Sequence, residues 1–75
     1  MRKEYVGGYY INLDDSKGEV IYGYEHFAYK IGSGAAEELI NSARTNGASF
    51  FSDESGYEYI LIYDSGSGEL ILQRK

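Results

Sequence analysis

The chain has 75 residues, of which 43% are hydrophobic and 25% charged, and it contains no Cys, Pro or Trp. This length favours a single compact domain over residues 1–75, with no room for a second core or an enzyme cleft of ordinary size. The apolar content is too high for a disordered chain, and no apolar run is long enough to span a membrane. Without cysteine there can be no disulfide framework and no thiolate metal site.

Acidic residues outnumber basic ones by twelve to seven, so the formal net charge is −5. Four of the bases lie at the two ends, which leaves only Lys17, Lys30 and Arg44 to oppose the twelve acids between residues 4 and 73. A negative surface repels phosphate and attracts cationic surfaces. We therefore expect no direct binding of nucleic acid and no membrane contact, and we favour a basic protein or a nucleoprotein complex as the partner.

The N-terminal third is predicted to form an antiparallel β-hairpin. Residues 5–13 show strand alternation, residues 14–19 form a polar turn, and residues 20–24 resume the strand. The phase of the apolar side chains changes at Glu25 and His26. A bulge or bend is expected at that point.

One helix is predicted in the middle of the chain. The segment Gly32-Ser33-Gly34 breaks the preceding strand, and Glu37 and Glu38 in the first turn suit the positive end of the helix dipole. The buried stripe follows the spacing i, i+3, i+4, i+7 and consists of Ala36, Leu39, Ile40 and Ala43. Asn46-Gly47 is a typical C-terminal stop.

Three further strands are predicted at residues 48–52, 57–63 and 69–74. The order ββαβββ indicates an α+β fold, with an antiparallel β-sheet of four to five strands and one α-helix packed on one face. In strand 57–63 two isoleucines alternate with tyrosines. We expect Ile60 and Ile62 to lie beneath the helix and the tyrosines to face away from it.

The face of the sheet without a helix is predicted to be a recognition surface. Tyrosine supplies a large contact area at a low entropy cost, and a polar rim around an apolar centre is typical of protein interfaces. The predicted contact residues are Tyr22, Tyr24, Asp53, Glu54, Tyr57, Glu58, Tyr59, Asp64 and Glu69. Two alternatives remain open, namely a homodimer face and a sheet that cross-strand tyrosine pairs stabilise without any partner.

The acidic residues of this set lie on or beside predicted turns. Carboxylates held several ångströms apart on rigid hairpins can imitate a row of phosphates to a protein that binds nucleic acid, with an attraction that salt weakens. The simpler interpretation is that turns are polar because they are exposed to water.

We expect no catalytic residue, metal site or cofactor. His26 is the only histidine, and no motif places an activated nucleophile beside it. Residues 12–16 lack the glycine spacing and the final Glu of an EF-hand loop. The Gly-rich segment before the helix is only a weak signal for an anion site, and none is expected there because Glu37 and Glu38 already satisfy the positive helix end.

In its small size, acidity, lack of cysteine, α+β pattern and abundance of Tyr and Gly, the chain resembles phage-encoded inhibitors such as anti-CRISPR proteins and DNA mimics. The resemblance implies an inhibitor that blocks a basic nucleic-acid-binding protein in the host cytoplasm. The charged residues 1–5 are not followed by an apolar stretch, so no secretory signal is predicted and a cytoplasmic location is expected. The alternatives are an immunity protein or antitoxin that neutralises a cationic toxin, and a self-associating structural or regulatory module.

Overall fold

A computed structural model describes residues 2–75 as five β-strands and two α-helices joined by short turns. The elements are β1 (Arg2–Val6), β2 (Tyr9–Asp14), a 3-10 turn (Asp15–Lys17), α1 (Ile21–Glu25), a π-helical turn (His26–Lys30), α2 (Ser33–Asn46), β3 (Ala48–Ser52), β4 (Glu58–Asp64) and β5 (Glu69–Arg74). The strands form one sheet in the order β1-β2-β5-β4-β3. The predicted α+β class is confirmed, but the structure has two helices where one was expected.

The sheet is mixed, whereas the sequence predicted a purely antiparallel one. β2 and β5 run parallel at its centre, and the other three neighbouring pairs are antiparallel. Parallel neighbours require a crossover connection. Here the chain leaves β2, passes over one face through α1 and α2, and returns through β3 and β4 before β5 fills the place beside β2.

The predicted strand at residues 5–13 is in fact two strands. Gly7 and Gly8 have φ angles of 61° and 88°, and positive φ at both central positions is what a type I′ hairpin turn requires. The turn places Val6 opposite Tyr9 and Tyr5 opposite Tyr10. β2 is therefore already paired with β1, and the expected hairpin between residues 5–13 and 20–24 does not form.

Residues 20–24 enter a helix, so the predicted strand there is wrong. The N–H of Val20 donates to Asp15 Oδ1 at 3.0 Å just before α1 begins. Val20, Tyr24 and Phe27 are all buried, and their spacing of i, i+4, i+7 is typical of a helix. The bend expected at residues 25–26 is the point where α1 passes into the π-helical turn.

The predicted central helix is confirmed as α2, which is followed by Gly47 with a left-handed φ of 91°. Glu37 and Glu38 lie beyond the first turn, contrary to the prediction, because the helix already begins at Ser33. Ala36, Ile40 and Ala43 are buried as expected, and Leu39 is only half-buried. The hydroxyl of Ser49 donates to the Leu39 carbonyl at 2.8 Å, which ties α2 to β3. No helix within residues 2–75 is long and apolar enough to cross a membrane.

The two faces of β4 are the reverse of the prediction. Tyr59 and Leu61 are 1% and 0% exposed, whereas Ile60 and Ile62 are half-buried on the opposite side. Leu61 lies opposite Ser49, which hydrogen-bonds α2, so Tyr59 and Leu61 point toward the helices. The core on this side is completed by residues of β2 and β5, namely Ile11, Leu13, Leu70 and Leu72.

Candidate protein-binding surface

No described element covers the side of the sheet that faces away from the helices, and we call this side the open face. Six large apolar side chains lie on it: Tyr5, Tyr10, Phe50, Ile60, Ile62 and Ile71. Tyr5, Tyr10 and Phe50 are 61%, 49% and 57% exposed, and the isoleucines are half-buried. Contiguous apolar surface on a small domain typically marks a contact with another molecule.

Strand pairing joins the three isoleucines and Phe50 into one apolar surface, and the hydrogen-bonded side chains of Asn12 and Glu69 lie between this surface and the Tyr5–Tyr10 pair. Ile62 lies directly opposite Ile71 on β5, and Ile60 lies opposite Phe50 on β3. Residues directly opposite each other on antiparallel strands project from the same face. At the far edge the rings of Tyr5 and Tyr10 meet edge-to-face with their centroids 5.0 Å apart.

The rim of the open face is acidic. Its described charged residues are four acids and two lysines: Asp14, Glu58, Asp64, Glu69, Lys3 and Lys75. Lys3 Nζ is 3.1 Å from the Glu69 carboxylate and 5.4 Å from the centre of the Tyr10 ring. Lys75 Nζ lies 5.2 Å from the centre of the Phe50 ring. One lysine is thus paired within the rim, and the other covers an aromatic ring.

None of the four tyrosines in the predicted contact set lies on the open face. Tyr24 on α1 and Tyr59 on β4 are buried in the core between the helices and the sheet, so a partner has no access to them. Burial, followed by a hydrogen bond with Tyr29, raises the pKa of Tyr24 to about 12. Tyr22 is exposed on α1, and Tyr57 is exposed beside Arg74, whose guanidinium lies 4.4 Å from the centre of its ring.

The predicted acids form two groups at opposite ends of β4. Glu58 begins the strand and Asp64 ends it, a separation of about 20 Å because a strand rises about 3.4 Å per residue. Asp53 and Glu54 precede the same end as Glu58, and Glu69 lies opposite Asp64. The structure therefore offers two separate acidic groups, one on each side of the apolar centre.

Asp53 holds the turn between β3 and β4 together. Its Oδ1 accepts hydrogen bonds from the N–H groups of Ser55 and Tyr57 at 2.9 and 3.0 Å, and its Oδ2 accepts from the Tyr59 hydroxyl at 2.8 Å. Burial raises the pKa of Asp53, but these three bonds outweigh it, so that the pKa lies below its ordinary value. Burial and the bond to Asp53 raise the pKa of Tyr59 to about 12.

Two other turn acids also have structural partners. Asp64 accepts from the Gly66 N–H and the Ser67 hydroxyl, each at 3.0 Å. Asp14 accepts from the Ser16 N–H at 3.0 Å and from Gln73 Nε2 at 2.6 Å. These carboxylates stabilise the turns in which they lie.

We expect acid to destabilise the fold through Asp14, Asp53 and Glu69. Hydrogen bonds from Ser16 and Gln73 lower the pKa of Asp14, and bonds from Asn12 and Lys3 lower that of Glu69. A group whose pKa is lower in the folded chain binds fewer protons there than in the unfolded chain. Its contribution to the stability of the fold is therefore complete above its ordinary pKa.

The stability that these three carboxylates contribute is lost as the pH falls from their ordinary pKa values, 3.8 for Asp and 4.5 for Glu, through their lowered pKa values. Urea midpoints measured across this range would show the decline. The variant Asp53→Asn should show a shallower decline than the parent chain. An unchanged slope in that variant would contradict the role given to Asp53.

Two concave sites lie on the helix side. A groove of about 520 Å³ separates α2 from the β1–β2 hairpin, with Val6 and Ile40 among its lining residues and Arg44 5.5 Å from the centre of the Tyr9 ring. A smaller cleft of about 120 Å³ contains His26, whose ring is stacked on Phe51 with the centroids 6.4 Å apart. Residues 2–75 contain no group of three or more His, Cys, Asp or Glu side chains that could hold a metal ion.

The six apolar residues of the open face are absent from the predicted contact set. Recognition of Gly7-Gly8 as a hairpin turn would have placed Tyr5 opposite Tyr10 and revealed one part of the surface. Comparison of the chain with protein-family models, curated proteins and solved structures gives no match. Inference about function therefore depends on the geometry of the chain's own residues.

Proposed function

We propose that this protein is a small, non-enzymatic inhibitor that binds a basic protein through the open face. The observation that supports the proposal is the open face itself, an uncovered apolar surface with acidic groups at two ends. Six large apolar side chains are left outside the core of a 75-residue chain, in which burial is the main source of stability. A partner that covered them would remove this surface from water.

The chemistry of the surface indicates the chemistry of the partner. The exposed rings of Tyr5, Tyr10 and Phe50 are the kind of side chain that contributes most binding energy at protein interfaces. The rim carries more acids than lysines, and Lys3 is already paired with Glu69. A complementary partner therefore presents apolar groups flanked by Lys or Arg. Its association would be accelerated by the net charge of −5 and slowed by added salt.

An inhibitory action fits the shape of the surface. The open face is one side of a five-stranded sheet, and both concave sites lie on the other side of the molecule. Binding through the open face would act on a partner by covering part of it. On a nucleic-acid-binding host protein in the cytoplasm, the covered area would be basic surface that otherwise contacts phosphate. A cationic toxin would be neutralised by the same contact, which makes an immunity protein the second candidate.

We expect Tyr10→Ser to weaken partner binding about tenfold and Tyr22→Ser to leave it unchanged. Removal of an aromatic contact residue typically costs this much, and Tyr22 lies on the helix side. Tagged parent and variant chains would capture partners from a lysate of the source cells, with elution by increasing salt and identification by mass spectrometry. The dissociation constant would then be measured with the purified partner.

The expected result is a basic partner that the parent and Tyr22→Ser retain, that Tyr10→Ser loses, and that raised salt releases. Whether this partner is a nucleic-acid-binding complex or a toxin decides between the two candidates. Equal binding by both variants would exclude the open face as the contact surface. Loss with Tyr22→Ser alone would instead place the contact on α1, where the structure puts this predicted contact residue.

A further inference from the structure

The outer edge of β3 is an unprotected strand edge. β3 (Ala48–Ser52) is the last strand of the sheet and pairs only with β4. At the other edge, β1 carries the charged residues Arg2, Lys3 and Glu4, and charges on an edge strand are a common device against pairing with other chains. β3 contains only Ala, Ser and Phe, and it has no charge, proline or bulge.

The hydrogen bonds at the two ends of the β3–β4 pair show which backbone groups are free. Tyr63 N–H donates to the Gly47 carbonyl, and Asp53 N–H donates to the Tyr57 carbonyl, both at 3.0 Å. Hydrogen-bonded positions alternate along an antiparallel pair. Ser49 and Phe51 therefore bond to β4. The N–H and C=O groups of the remaining three residues point outward from the sheet: Ala48, Phe50 and Ser52.

These three residues are arranged symmetrically about Phe50. In an antiparallel pair of two β3 strands centred on Phe50, this residue lies opposite its own copy, and Ala48 lies opposite Ser52 of the other chain. Each of these is a hydrogen-bonded position, so each pair exchanges two bonds and every outward group finds a partner. Phe50 is 57% exposed, and its ring would meet the second ring on the open face.

The stripe of α2 that lies beside this edge also lacks charged residues. The stripe of α2 above β3 is identified by Leu39, whose carbonyl accepts the Ser49 hydroxyl. Helical spacing of i, i+4, i+7, i+11 gives the members of the stripe as Ala35, Leu39, Ser42 and Asn46. The charged residues of α2, Glu37, Glu38 and Arg44, lie outside it. In a chain with a net charge of −5, this flank is one on which two copies approach without direct repulsion between carboxylates.

We propose that two copies of this chain form a symmetric dimer by antiparallel pairing of their β3 strands. The inference does not rest on the proposed inhibitor function, because the backbone groups that pair belong to the edge of the sheet; Phe50 is the one open-face residue at the dimer axis. The dimer is a single ten-stranded sheet with the two open faces side by side. A partner with repeated or extended basic surface would then contact both faces at once.

The response to added salt distinguishes this dimer from the complex with a basic partner. Each copy carries a net charge of −5, so added salt screens the repulsion between the two copies and strengthens the dimer. The same salt weakens the attraction between one copy and a basic protein. The two associations therefore respond to salt in opposite directions.

We expect Phe50→Lys to raise the dimer dissociation constant by about tenfold, because two like charges would lie directly opposite each other at the symmetry axis. The matched control is Tyr29→Lys, which makes the same charge change at an exposed ring of the π-helical turn. Both variants reduce the net negative charge, so a general charge effect would strengthen association in both. Sedimentation velocity over a range of protein concentrations gives the mass, with a monomer of 8.4 kDa and a dimer of twice that value.

A covalent test fixes the strand register and does not depend on the stability of the lysine variant. The chain has no cysteine, so Phe50→Cys introduces a single thiol. Hydrogen-bonded antiparallel residues have Cα atoms about 5.5 Å apart, within the range of about 4.4–6.8 Å that a disulfide spans. Mild oxidation should give a disulfide-linked dimer with Phe50→Cys and little with Tyr29→Cys.

The expected result is a mass that rises toward the dimer with protein concentration and with salt. In Phe50→Lys the same rise should require about tenfold more protein, and in Tyr29→Lys it should be kept. A parent chain that stays monomeric at all concentrations and salt levels overturns the proposal. So does a dimer that Phe50→Lys leaves intact, or one that crosslinks equally well through both cysteine positions. A monomer that instead binds an extended peptide along β3 would assign the edge to another protein.

Discussion

Leu61→Ala is expected to lower the free energy of unfolding by about 2–5 kcal/mol, the range for removing a large aliphatic side chain from a packed core. Leu61 has no exposed surface and lies opposite Ser49 and Leu72 beneath the helices. Ile62→Ala, one residue along the same strand, is expected to cost about 1 kcal/mol, because that side chain is only partly buried. Urea denaturation of the two variants measures both values.

The same pair of variants separates stability from binding. Ile62 lies at the centre of the open face opposite Ile71, so Ile62→Ala should weaken partner binding while the fold remains stable. Leu61→Ala should bind normally at temperatures where it is still folded, since its side chain does not reach the open face. A larger loss of stability in Ile62→Ala than in Leu61→Ala would mean that the helices cover the other side of β4.

The face of β4 could not be assigned from the sequence, because both faces of the strand are apolar. The run from Tyr59 to Tyr63 places isoleucines on one side and Leu61 with two tyrosines on the other. Apolarity alone favours the isoleucines as the core. The structure buries Tyr59 because Asp53, across the turn, accepts its hydroxyl proton in a hydrogen bond at 2.8 Å. A polar group is buried at low cost only when such a partner exists, and strand periodicity does not reveal it.

Elements with strong local signals were predicted well. α2 has a regular apolar stripe and is followed by the left-handed Gly47. Both signals come from residues of the helix and its cap, so they can be recognised without knowledge of the rest of the fold. The three C-terminal strands are found within a residue or so of their predicted bounds, since short turns separate them. The parallel pairing of β2 with β5 was not predicted. It joins segments almost sixty residues apart, and no local pattern specifies it.

Residues 20–27 carried two conflicting signals. The run from Val20 to Tyr24 is rich in residues that favour strands, and this signal determined the prediction. The spacing of Val20, Tyr24 and Phe27 is helical, and the structure follows this spacing. The Gly7-Gly8 turn decides between the two, because β1 occupies the place beside β2 that a strand at residues 20–24 would need.

Gly23→Ala is expected to destabilise the fold by about 1–3 kcal/mol, the usual cost of adding an atom to a filled core. A Cβ atom at Gly23 would lie 2.5 Å from the ring of Tyr59, closer than any tolerated contact. The ring cannot move away, because it is fully buried and its hydroxyl is bonded to Asp53. The absence of a side chain at Gly23 is therefore what lets α1 pack closely on β4.

Gly34→Ala is the matched control, since Gly34 lies in α2 and a Cβ atom there would have no neighbour within 4 Å. Replacing a helical glycine in open space typically gains about 0.4–1 kcal/mol. Thermal or urea unfolding should thus move in opposite directions for the two variants. If residues 20–24 formed the strand that the sequence predicted, Gly23→Ala would be neutral or stabilising. The sign of the effect therefore distinguishes a helix packed on Tyr59 from a strand of the sheet.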